Sequence, residues 1–337
     1  MKEIFQNCEQ ARYAVFLPVK NGEKYIAAAI ESVLAQSYSN FQLIILDNRS
    51  SDETLSIVRG FADPRILVFE SVDELGIYDS WQRIHDLLSR KLIVAEFCTI
   101  IGHDDLYYPN FLHTIDHLVV NQPSATLYQT HFNLVDRDGN TSRPCRPIAQ
   151  TETVRDFFIA RCWQLRDSYG TGYVFRVSDY LKVGGIPALP LLLWSDDLLV
   201  MRLTRLAWKA TAIDICFAYR LHSSSTSGKL TRAKLKALVS AADTFTEIIQ
   251  LEFLDLITGP YGKASLGNYL NNQVLPLKHL SSKYLYDTSM NTQLERLDLL
   301  AVTLSSGAGW KGKYMFFKKI ERLARRLYYF FSWVLSK

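Results

Sequence analysis

Short apolar runs that alternate with helix-patterned segments most constrain how the first hundred residues can fold. The runs YAVFLPV (13–19), FQLIILD (41–47) and RILVFE (65–70) are typical of buried strands, and LIVAEFCTII (92–101) is apolar almost throughout. Between the first two runs, residues 26–34 repeat apolar side chains at helical spacing. Strands separated by helices predict an α/β fold with a Rossmann-like, mostly parallel central sheet flanked by helices.

The length and composition predict a globular protein with one large domain and an appended element. A chain of 337 residues exceeds the size at which one core usually stops growing, and 48% of its residues are hydrophobic while 21% are charged. The five cysteines are scattered without a C-x-x-C pair, which argues against a zinc site and favours a reducing, cytoplasmic location. We find no signal-peptide pattern and no apolar run of spanning length, so we predict no membrane span.

Polar residues directly follow two of the predicted strands. Asp47 ends the second apolar run, and Gly102-His103-Asp104-Asp105 follows the fourth. In parallel α/β sheets, ligands bind at the carboxyl ends of the strands, so this edge is the expected binding site. A dinucleotide-binding domain would carry G-x-G-x-x-G after its first strand, whereas Gly22 stands alone there, which argues against that class.

Five ordered blocks resemble the family 2 glycosyltransferases of GT-A fold. They are FLPVKNGEKYIAAAIESVLAQSYSNFQLIILDNRSSDET, GIYDSWQRI, IGHDDLYYPNFL, WSDDLLVMRL and YRLHSSSTS. The resemblance implies a catalytic domain over 1–228, with a donor half at about 12–109 and an acceptor half at about 110–228. Helical spacing predicts a helical C-terminal extension over 229–337. The implied activity is transfer of a sugar from a nucleotide-diphosphate donor to an acceptor hydroxyl.

The resemblance also implies which residues form the donor site. Asp105 and His222 would bind a metal, Asp104 would lie near the ribose, and Asp47 would accept a hydrogen bond from a uracil or thymine base. The remaining residues of the implied donor pocket are Pro18, Asn21, Gly76, Tyr78, Asp79 and Gly172. A divalent cation stabilises the charge on a departing diphosphate, and carboxylates suit Mn²⁺ or Mg²⁺.

Each of these polar residues also has a purely structural explanation. Asp104 and Asp105 could cap a helix, Asp47 could bond the backbone of its own turn, and His222 precedes a serine run typical of surface loops. Many relatives have a further aspartate where this chain has Gly102, so metal ligation would rest on fewer carboxylates.

A second aspartate pair, Asp196 and Asp197, opens a segment with helical spacing. Inverting transfer needs a base opposite the leaving group, and a carboxylate is the usual choice. Asp197 is our candidate, because it holds the second position of a pair that resembles the family's Glu-Asp block. Since the first position is Asp rather than Glu, the sequence leaves open which of the two is the base. Acidic residues also stabilise a helix start without any further role.

Residues 313–335 are predicted to form a basic amphipathic helix. Between 310 and 337, eight Lys or Arg accompany one Glu, so the remainder of a chain with formal net charge +4 is slightly acidic. The one-signed charge and terminal aromatic cluster favour a helix in the headgroup layer of an anionic membrane. A helix packed on the protein core would show the same apolar stripe. We therefore predict peripheral contact with the inner face of the plasma membrane, and no nucleic-acid partner.

These patterns predict an inverting glycosyltransferase with a UDP- or dTDP-sugar donor and a divalent cation. Its acceptor would be a glycan or a lipid-linked molecule in the synthesis of surface polysaccharide, lipopolysaccharide or glycolipid. The departures at Gly102 and Asp196 keep a second hypothesis open, namely a GT-A-like protein that binds a nucleotide sugar or acts as a scaffold without turnover.

Overall fold

The predicted alternation of strands and helices is present in the structure. A computed structural model describes residues 11–221, 231–273 and 288–305. The first hundred residues contain β1 (Ala11–Val19), α1 (Ile26–Leu34), β2 (Phe41–Asp47), α2 (Thr54–Arg59), β3 (Ile66–Glu70), α3 (Ile77–Ser89) and β4 (Ala95–Ile100). Each element lies where the apolar periodicity of the sequence predicts it.

The second hundred residues continue the same sheet and add helices to it. In chain order these elements are β5 (Leu106–Tyr107), α4 (Phe111–Asn121), β6 (Leu127–Val135), β7 (Thr141–Pro144), β8 (Thr151–Glu152), α5 (Val154–Cys162), β9 (Tyr173–Arg176), α6 (Val177–Lys182), a 3₁₀ turn (Pro190–Leu192), α7 (Ser195–Leu206) and β10 (Lys209–Arg220). Beyond them lie α8 (Arg232–Glu252), α9 (Leu254–Ile257), α10 (Pro260–Gln273) and α11 (Thr288–Ser305).

The strands form one sheet in the order β3-β2-β1-β4-β9-β6-β10-β5, with β7 paired to β6 and β8 paired to β10. The strands from β3 to β4 are parallel, and β9 is antiparallel to both β4 and β6. Because β10 runs parallel to β6, the main strands of both halves point their carboxyl ends to the same edge. The predicted α/β class with a mostly parallel sheet is confirmed.

The sheet separates two apolar cores. Along β1, Ala14 and Phe16 contribute to one core, whereas Tyr13, Val15 and Leu17 contribute to the other. Alternate side chains of a strand point to opposite faces, so a strand buried on both faces must be apolar at nearly every position. This requirement explains the continuous apolar runs in the sequence and keeps polar residues for the ends of the strands.

The helical C-terminal extension is confirmed for the residues that the structure describes. α8, α10 and α11 pack together, α10 packs on α5, and their apolar residues join the same core as one face of the sheet. Within the described ranges, no helix combines the length and apolarity needed to cross a bilayer. His222, the predicted boundary at 228 and the predicted helix over 313–335 lie outside the described residues.

A buried ionic cluster stabilises the acceptor half. Glu152 on β8 forms an ion pair with Lys209 Nζ at 2.7 Å and a bidentate pair with Arg166, and the three side chains are 4% exposed or less. Burial alone would raise the pKa of Glu152, but the two cations outweigh that effect and hold the pKa below its ordinary value. One carboxylate therefore compensates two buried cations.

We expect Glu152→Gln to lower the free energy of unfolding by about 3 to 5 kcal/mol, because Arg166 would stay buried without a counter-charge. Urea denaturation monitored by circular dichroism measures this loss. Glu70→Gln is the matched control, since Glu70 pairs with Arg59 at the surface, where loss of an ion pair changes stability by about 1 kcal/mol or less. Equal losses in the two variants would contradict the prediction.

Candidate active site

The carboxyl end of β2 presents a buried carboxylate with an unused oxygen. Asp47 is 1% exposed, and its Oδ2 accepts a hydrogen bond from the Ser50 backbone N–H at 3.1 Å. Its Oδ1 is buried without a hydrogen-bond partner among the residues that the structure describes. Because an unsatisfied buried carboxylate oxygen is costly, this atom marks a position where a ligand donor would be stabilising. The hydrogen bond within its own turn therefore leaves one Asp47 oxygen unused.

Two residues predicted for the donor pocket, Pro18 and Asn21, lie on β1 and in the loop after it. Pro18 is buried and pairs in register with Leu46 on β2. Asn21 adopts a left-handed conformation with φ of 52°, and its side-chain oxygen accepts from the Ser51 backbone N–H at 2.8 Å. Since α1 begins only at Ile26, Asn21 does not start that helix but ties the loop after β1 to the loop after β2.

Two residues that the sequence analysis missed hold Asp47 in place. The Asn48 side chain donates to the Leu75 carbonyl at 2.9 Å and accepts from the Leu75 N–H at 2.8 Å. Arg83 Nη1 on α3 donates to the Asp47 carbonyl at 2.8 Å. In the sequence, only the position of Asn48 directly after Asp47 indicated a role for it. No sequence pattern indicated a role for Arg83.

The GIYD block forms the start of α3 next to this loop. Gly76 is the N-cap residue of α3, with Tyr78 half-buried and Asp79 exposed in the first turn. Asp79 lies where the positive end of the helix dipole favours an acid. Among the described residues, no hydrogen bond or ion pair joins Tyr78 or Asp79 to Asp47 or to the aspartate pairs, so the donor-binding roles of this block stay predictions.

The aspartate pair after β4 has one buried and one half-buried member. Asp105 is 2% exposed, and its two oxygens accept from Thr171 Oγ1 at 2.7 Å and from the Arg220 backbone N–H at 3.0 Å. Burial and the nearby charge of Asp104 raise the pKa of Asp105 to about 7. Asp104 is half-buried, and its carbonyl accepts from Arg220 Nε at 2.7 Å. Asp105 is therefore an internal anchor between β4, β10 and the segment around Thr171.

The glycine that replaces the relatives' additional aspartate packs against both carboxylates. A Cβ built on Gly102 would lie 2.7 Å from Asp104 Oδ1 and 2.8 Å from Asp105 Oδ2. Such separations are too short for unbonded atoms, so the side chains must move before any larger residue can occupy position 102. The packing of the two carboxylates therefore favours glycine at position 102.

The second aspartate pair repeats the pattern of the first. Asp197 is 2% exposed and bonds Arg161 through both oxygens, with Nε–Oδ1 and Nη2–Oδ2 distances of 2.8 Å. Asp196 is half-buried in the first turn of α7, and burial together with the charge of Asp197 raises the pKa of Asp196 to about 7. In each pair the second aspartate is buried and accepts two internal hydrogen bonds, and the first is the more exposed.

Residues 170–172 connect the two pairs. Thr171 bonds Asp105, while a Cβ built on Gly170 would lie 3.8 Å from Asp196 Cβ and 3.3 Å from the Trp81 ring. Gly172 has φ of +78°, and a Cβ there would lie 2.7 Å from the Phe217 ring. The Gly172 N–H donates to the Ile100 carbonyl at 3.1 Å, so its observed role is to pack this segment on the end of β4.

Asp47 and the first aspartate pair share one edge of the sheet. β2 and β4 flank β1, so their ends lie two strand spacings apart, about 10 Å. A Cβ built on Gly22 would lie 2.8 Å from the His103 ring, so the loop after β1 packs directly on the Asp104 loop. The structure therefore brings Asp47, Asp104 and Asp196 to one region, with Asp105 and Asp197 behind them.

Comparison with known proteins finds similarity to glycosyltransferases over the first half of the chain. The model for "Glycosyl transferase family 2" matches residues 14–173, which include Asp47 and the first aspartate pair but not the second. An uncharacterized glycosyltransferase of Rickettsia conorii is 28% identical over 137 residues, covering 40% of this chain and 22% of the relative. The glycosyltransferase GlyG of Streptococcus pneumoniae is 25% identical over 129 residues, covering 38% of this chain and 41% of the relative.

Solved structures show the same fold. The S. aureus TarS 1–349 structure in complex with UDP-GlcNAc has a TM-score of 0.56 at 15% identity and covers 88% of this chain and 90% of that chain. The chain spans between about a fifth and two fifths of the length of the first curated relatives that it matches. Residues 14–173 thus resemble glycosyltransferase family 2, and the chain has a GT-A fold.

Proposed function

We propose that this chain transfers a sugar from a UDP- or dTDP-sugar to an acceptor hydroxyl with inversion at the sugar carbon. The observation that carries the proposal is the juxtaposition of the unpartnered Asp47 oxygen with two aspartate pairs whose first members are accessible. The proposal assigns recognition of the nucleobase to Asp47, cation binding to Asp104 and proton removal to Asp196.

The Asp47 oxygen suits the imide N–H of uracil or thymine. An ionised carboxylate is an acceptor only, and Oδ1 is buried where a charge-assisted hydrogen bond is strong. Cytosine presents an acceptor at the equivalent ring nitrogen and would oppose the carboxylate. These properties support a UDP or dTDP donor over a CDP donor.

The residues around Asp104 fit a hard divalent cation such as Mn²⁺ or Mg²⁺. Such a cation takes oxygen ligands, and diphosphate oxygens and water complete its coordination when few protein ligands are present. When bound, the cation would neutralise charge that develops on the leaving diphosphate. In the described ranges no three side chains of His, Cys, Asp or Glu converge to hold a metal by themselves, and Asp104 is the more exposed carboxylate of its pair. Our sequence-based assignment to Asp105 is revised because both oxygens of that residue already accept internal hydrogen bonds.

Asp196 is the better placed base for the same reason. Both oxygens of Asp197 are held by Arg161, whereas Asp196 is half-buried with a pKa raised to about 7 by burial and by Asp197. A base with a pKa near the working pH is the effective choice for removing a proton from an acceptor hydroxyl. The hydroxyl oxygen then attacks the sugar carbon as its bond to the diphosphate breaks, and Asp196 takes the proton.

The acceptor and the location follow from the sequence of the tail. The basic, aromatic-rich residues 313–335 support peripheral contact with an anionic membrane surface, where a glycan or lipid-linked acceptor would be presented. We therefore propose a cytoplasmic enzyme of surface glycan synthesis. The other candidate is a non-catalytic protein that binds a nucleotide sugar, which the glycine at position 102 favours because it removes a carboxylate found in many relatives.

We expect UDP with Mn²⁺ to raise the melting temperature more than CDP with Mn²⁺ does, because uracil presents an N–H to Asp47 at the ring nitrogen where cytosine presents an acceptor. In Asp47→Asn the preference for UDP should fall by roughly 10-fold or more in Kd, since a charge-assisted hydrogen bond contributes about 1.5 to 3 kcal/mol. Thermal-shift titrations of the two proteins with the two nucleotides measure this.

The same titrations separate the two candidate functions. Binding of UDP followed by release of sugar from a panel of UDP- and dTDP-sugars supports the enzyme, whereas UDP binding without turnover of any panel member supports the non-catalytic protein. Equal stabilisation of the wild type by UDP and CDP would contradict the role of Asp47.

A further inference from the structure

We infer that Trp194 is a positioning residue, held by the C-terminal helices so that Asp196 sits at the proposed site. This inference rests on the proposed function of Asp196 as base. Asp196 and the helices that hold it lie outside residues 14–173, the part of the chain that matches the family model.

The backbone before Asp196 is strained. Leu191, Leu192 and Trp194 have φ values of 54°, 55° and 61°, in the left-handed region that side chains with a Cβ rarely adopt. Trp194 is also the N-cap residue of α7, and its carbonyl accepts from the Leu198 N–H at 3.1 Å. Strained backbone of this kind persists only where the surrounding structure determines it.

The C-terminal helices supply that surrounding structure. The Trp194 ring lies 6.0 Å from the Tyr269 ring of α10 and 6.3 Å from the Phe245 ring of α8, measured between centroids. The Phe245 and Tyr269 rings lie 5.0 Å apart and are both buried. α8 also packs against the turn at Pro190–Leu192. Aromatic contacts at these separations are favourable and specify geometry.

The C-terminal helices also fix the residue that follows Asp196, through α5 and α10. Asp197 is bonded to Arg161 on α5, and α5 is fixed to α10 by two hydrogen bonds at its C-terminal end. Trp163 Nε1 donates to Ser265 Oγ at 2.9 Å, and the Asn268 side chain donates to the Cys162 carbonyl at 2.8 Å. Asp196 therefore lies between two neighbours whose positions both depend on the C-terminal helices.

A displacement of this turn would move the base relative to the acceptor hydroxyl. Misplacement by about 1 Å can lower a rate by about 100-fold even when the altered residue is remote from the reacting atoms. Donor binding through Asp47 and Asp104 uses other loops and would be retained. The inference thus predicts a loss of kcat without a matching rise of the donor KM.

Phe245→Ala tests this directly, with Phe253→Ala as the matched control. Both residues are buried phenylalanines: Phe245 lies within α8 and Phe253 directly follows it, about 12 Å further along the axis. Phe253 packs under Arg205, with 5.3 Å between the guanidinium and the ring centre, and has no ring contact with Trp194 in the described residues. Equal truncations therefore lower stability in both variants but remove support from Trp194 in only one.

The first readout needs no substrate. Amide hydrogen exchange, followed by mass spectrometry on peptides that cover residues 190–198, should accelerate in Phe245→Ala by roughly 10-fold or more relative to Phe253→Ala. The second readout is turnover of the UDP-sugar that the wild type hydrolyses fastest, where we expect kcat to fall by about 100-fold in Phe245→Ala and by about 2-fold or less in Phe253→Ala. Trp194→Phe should retain most of the wild-type kcat, because it keeps an aromatic ring beside Phe245 and Tyr269.

Unchanged exchange at 190–198 in Phe245→Ala, or equal loss of kcat in the two truncations, would overturn the inference. If the wild type turns over no sugar nucleotide, the proposed function fails. Exchange alone then still shows whether the C-terminal helices hold the turn before Asp196.

Discussion

Asp196→Asn is expected to lower the rate of sugar transfer by about 1000-fold, because an amide cannot take the proton of the acceptor hydroxyl. The affinity for UDP should stay within about 2-fold of the wild-type value, since Asp196 belongs to the acceptor side of the site. Single-turnover measurements with a radiolabelled sugar nucleotide give the rate, and thermal-shift titration with UDP gives the affinity.

The pH dependence of wild-type activity also tests whether Asp196 is the base. Burial and the charge of Asp197 raise the pKa of Asp196 to about 7, and the base acts only when deprotonated. We therefore expect activity to be constant above this pKa and to fall by roughly 10-fold per pH unit below it. In Asp196→Asn, the residual activity should lose this dependence.

Asp197→Asn is the control, and we expect it to lose stability rather than the catalytic base. Its neutral side chain leaves the Arg161 guanidinium without a counter-charge, so we expect the free energy of unfolding to fall by about 3 kcal/mol. At a temperature where the variant is folded, its kcat should remain well above that of Asp196→Asn. A larger loss of kcat in Asp197→Asn than in Asp196→Asn would return the role of base to Asp197.

Asp104→Asn is expected to abolish the effect of Mn²⁺ on UDP binding. If Asp104 supplies the accessible carboxylate, loss of its charge should weaken UDP binding in the presence of Mn²⁺ by roughly 100-fold and leave metal-free binding nearly unchanged. Isothermal titration calorimetry with UDP, with and without Mn²⁺, measures both quantities.

Asp105→Asn provides the comparison within the same pair. An asparagine offers one acceptor oxygen where Thr171 and the Arg220 N–H need two, so one buried donor would lose its partner and stability should fall by about 1 to 3 kcal/mol. The folded fraction should still show Mn²⁺-dependent UDP binding. Loss of that dependence in Asp105→Asn with retention in Asp104→Asn would contradict our assignment.

Local periodicity was sufficient to predict the sheet and the helices on its faces. The apolar runs at β1, β2 and β4 and the helical spacing of α1 identified these elements, because burial on both faces of a parallel strand leaves few other compositions. The same reasoning placed Asp47 and the first aspartate pair at the carboxyl edge. The helical pattern after residue 230 is observed in α8 and α9.

The choice within each aspartate pair could not be predicted from local patterns. Asp197 is occupied by Arg161, which lies 36 positions away in the chain, and Asp105 by Thr171, 66 positions away. No periodicity or motif links such residues, since only the packing of α5, α7 and β10 brings them together. The same limit explains why Arg83 and the Trp194 contacts emerged only from the structure.

The most direct test of the account is a crystal structure of the protein with UDP and Mn²⁺, with the cation located by its anomalous scattering. We expect Mn²⁺ within about 2.2 Å of an Asp104 carboxylate oxygen, the uracil N–H on Asp47 Oδ1, and Asp105 still bonded to Thr171. A cation ligated by Asp105 after release from Thr171, with Asp104 turned away from the diphosphate, would contradict the division of roles within the pairs.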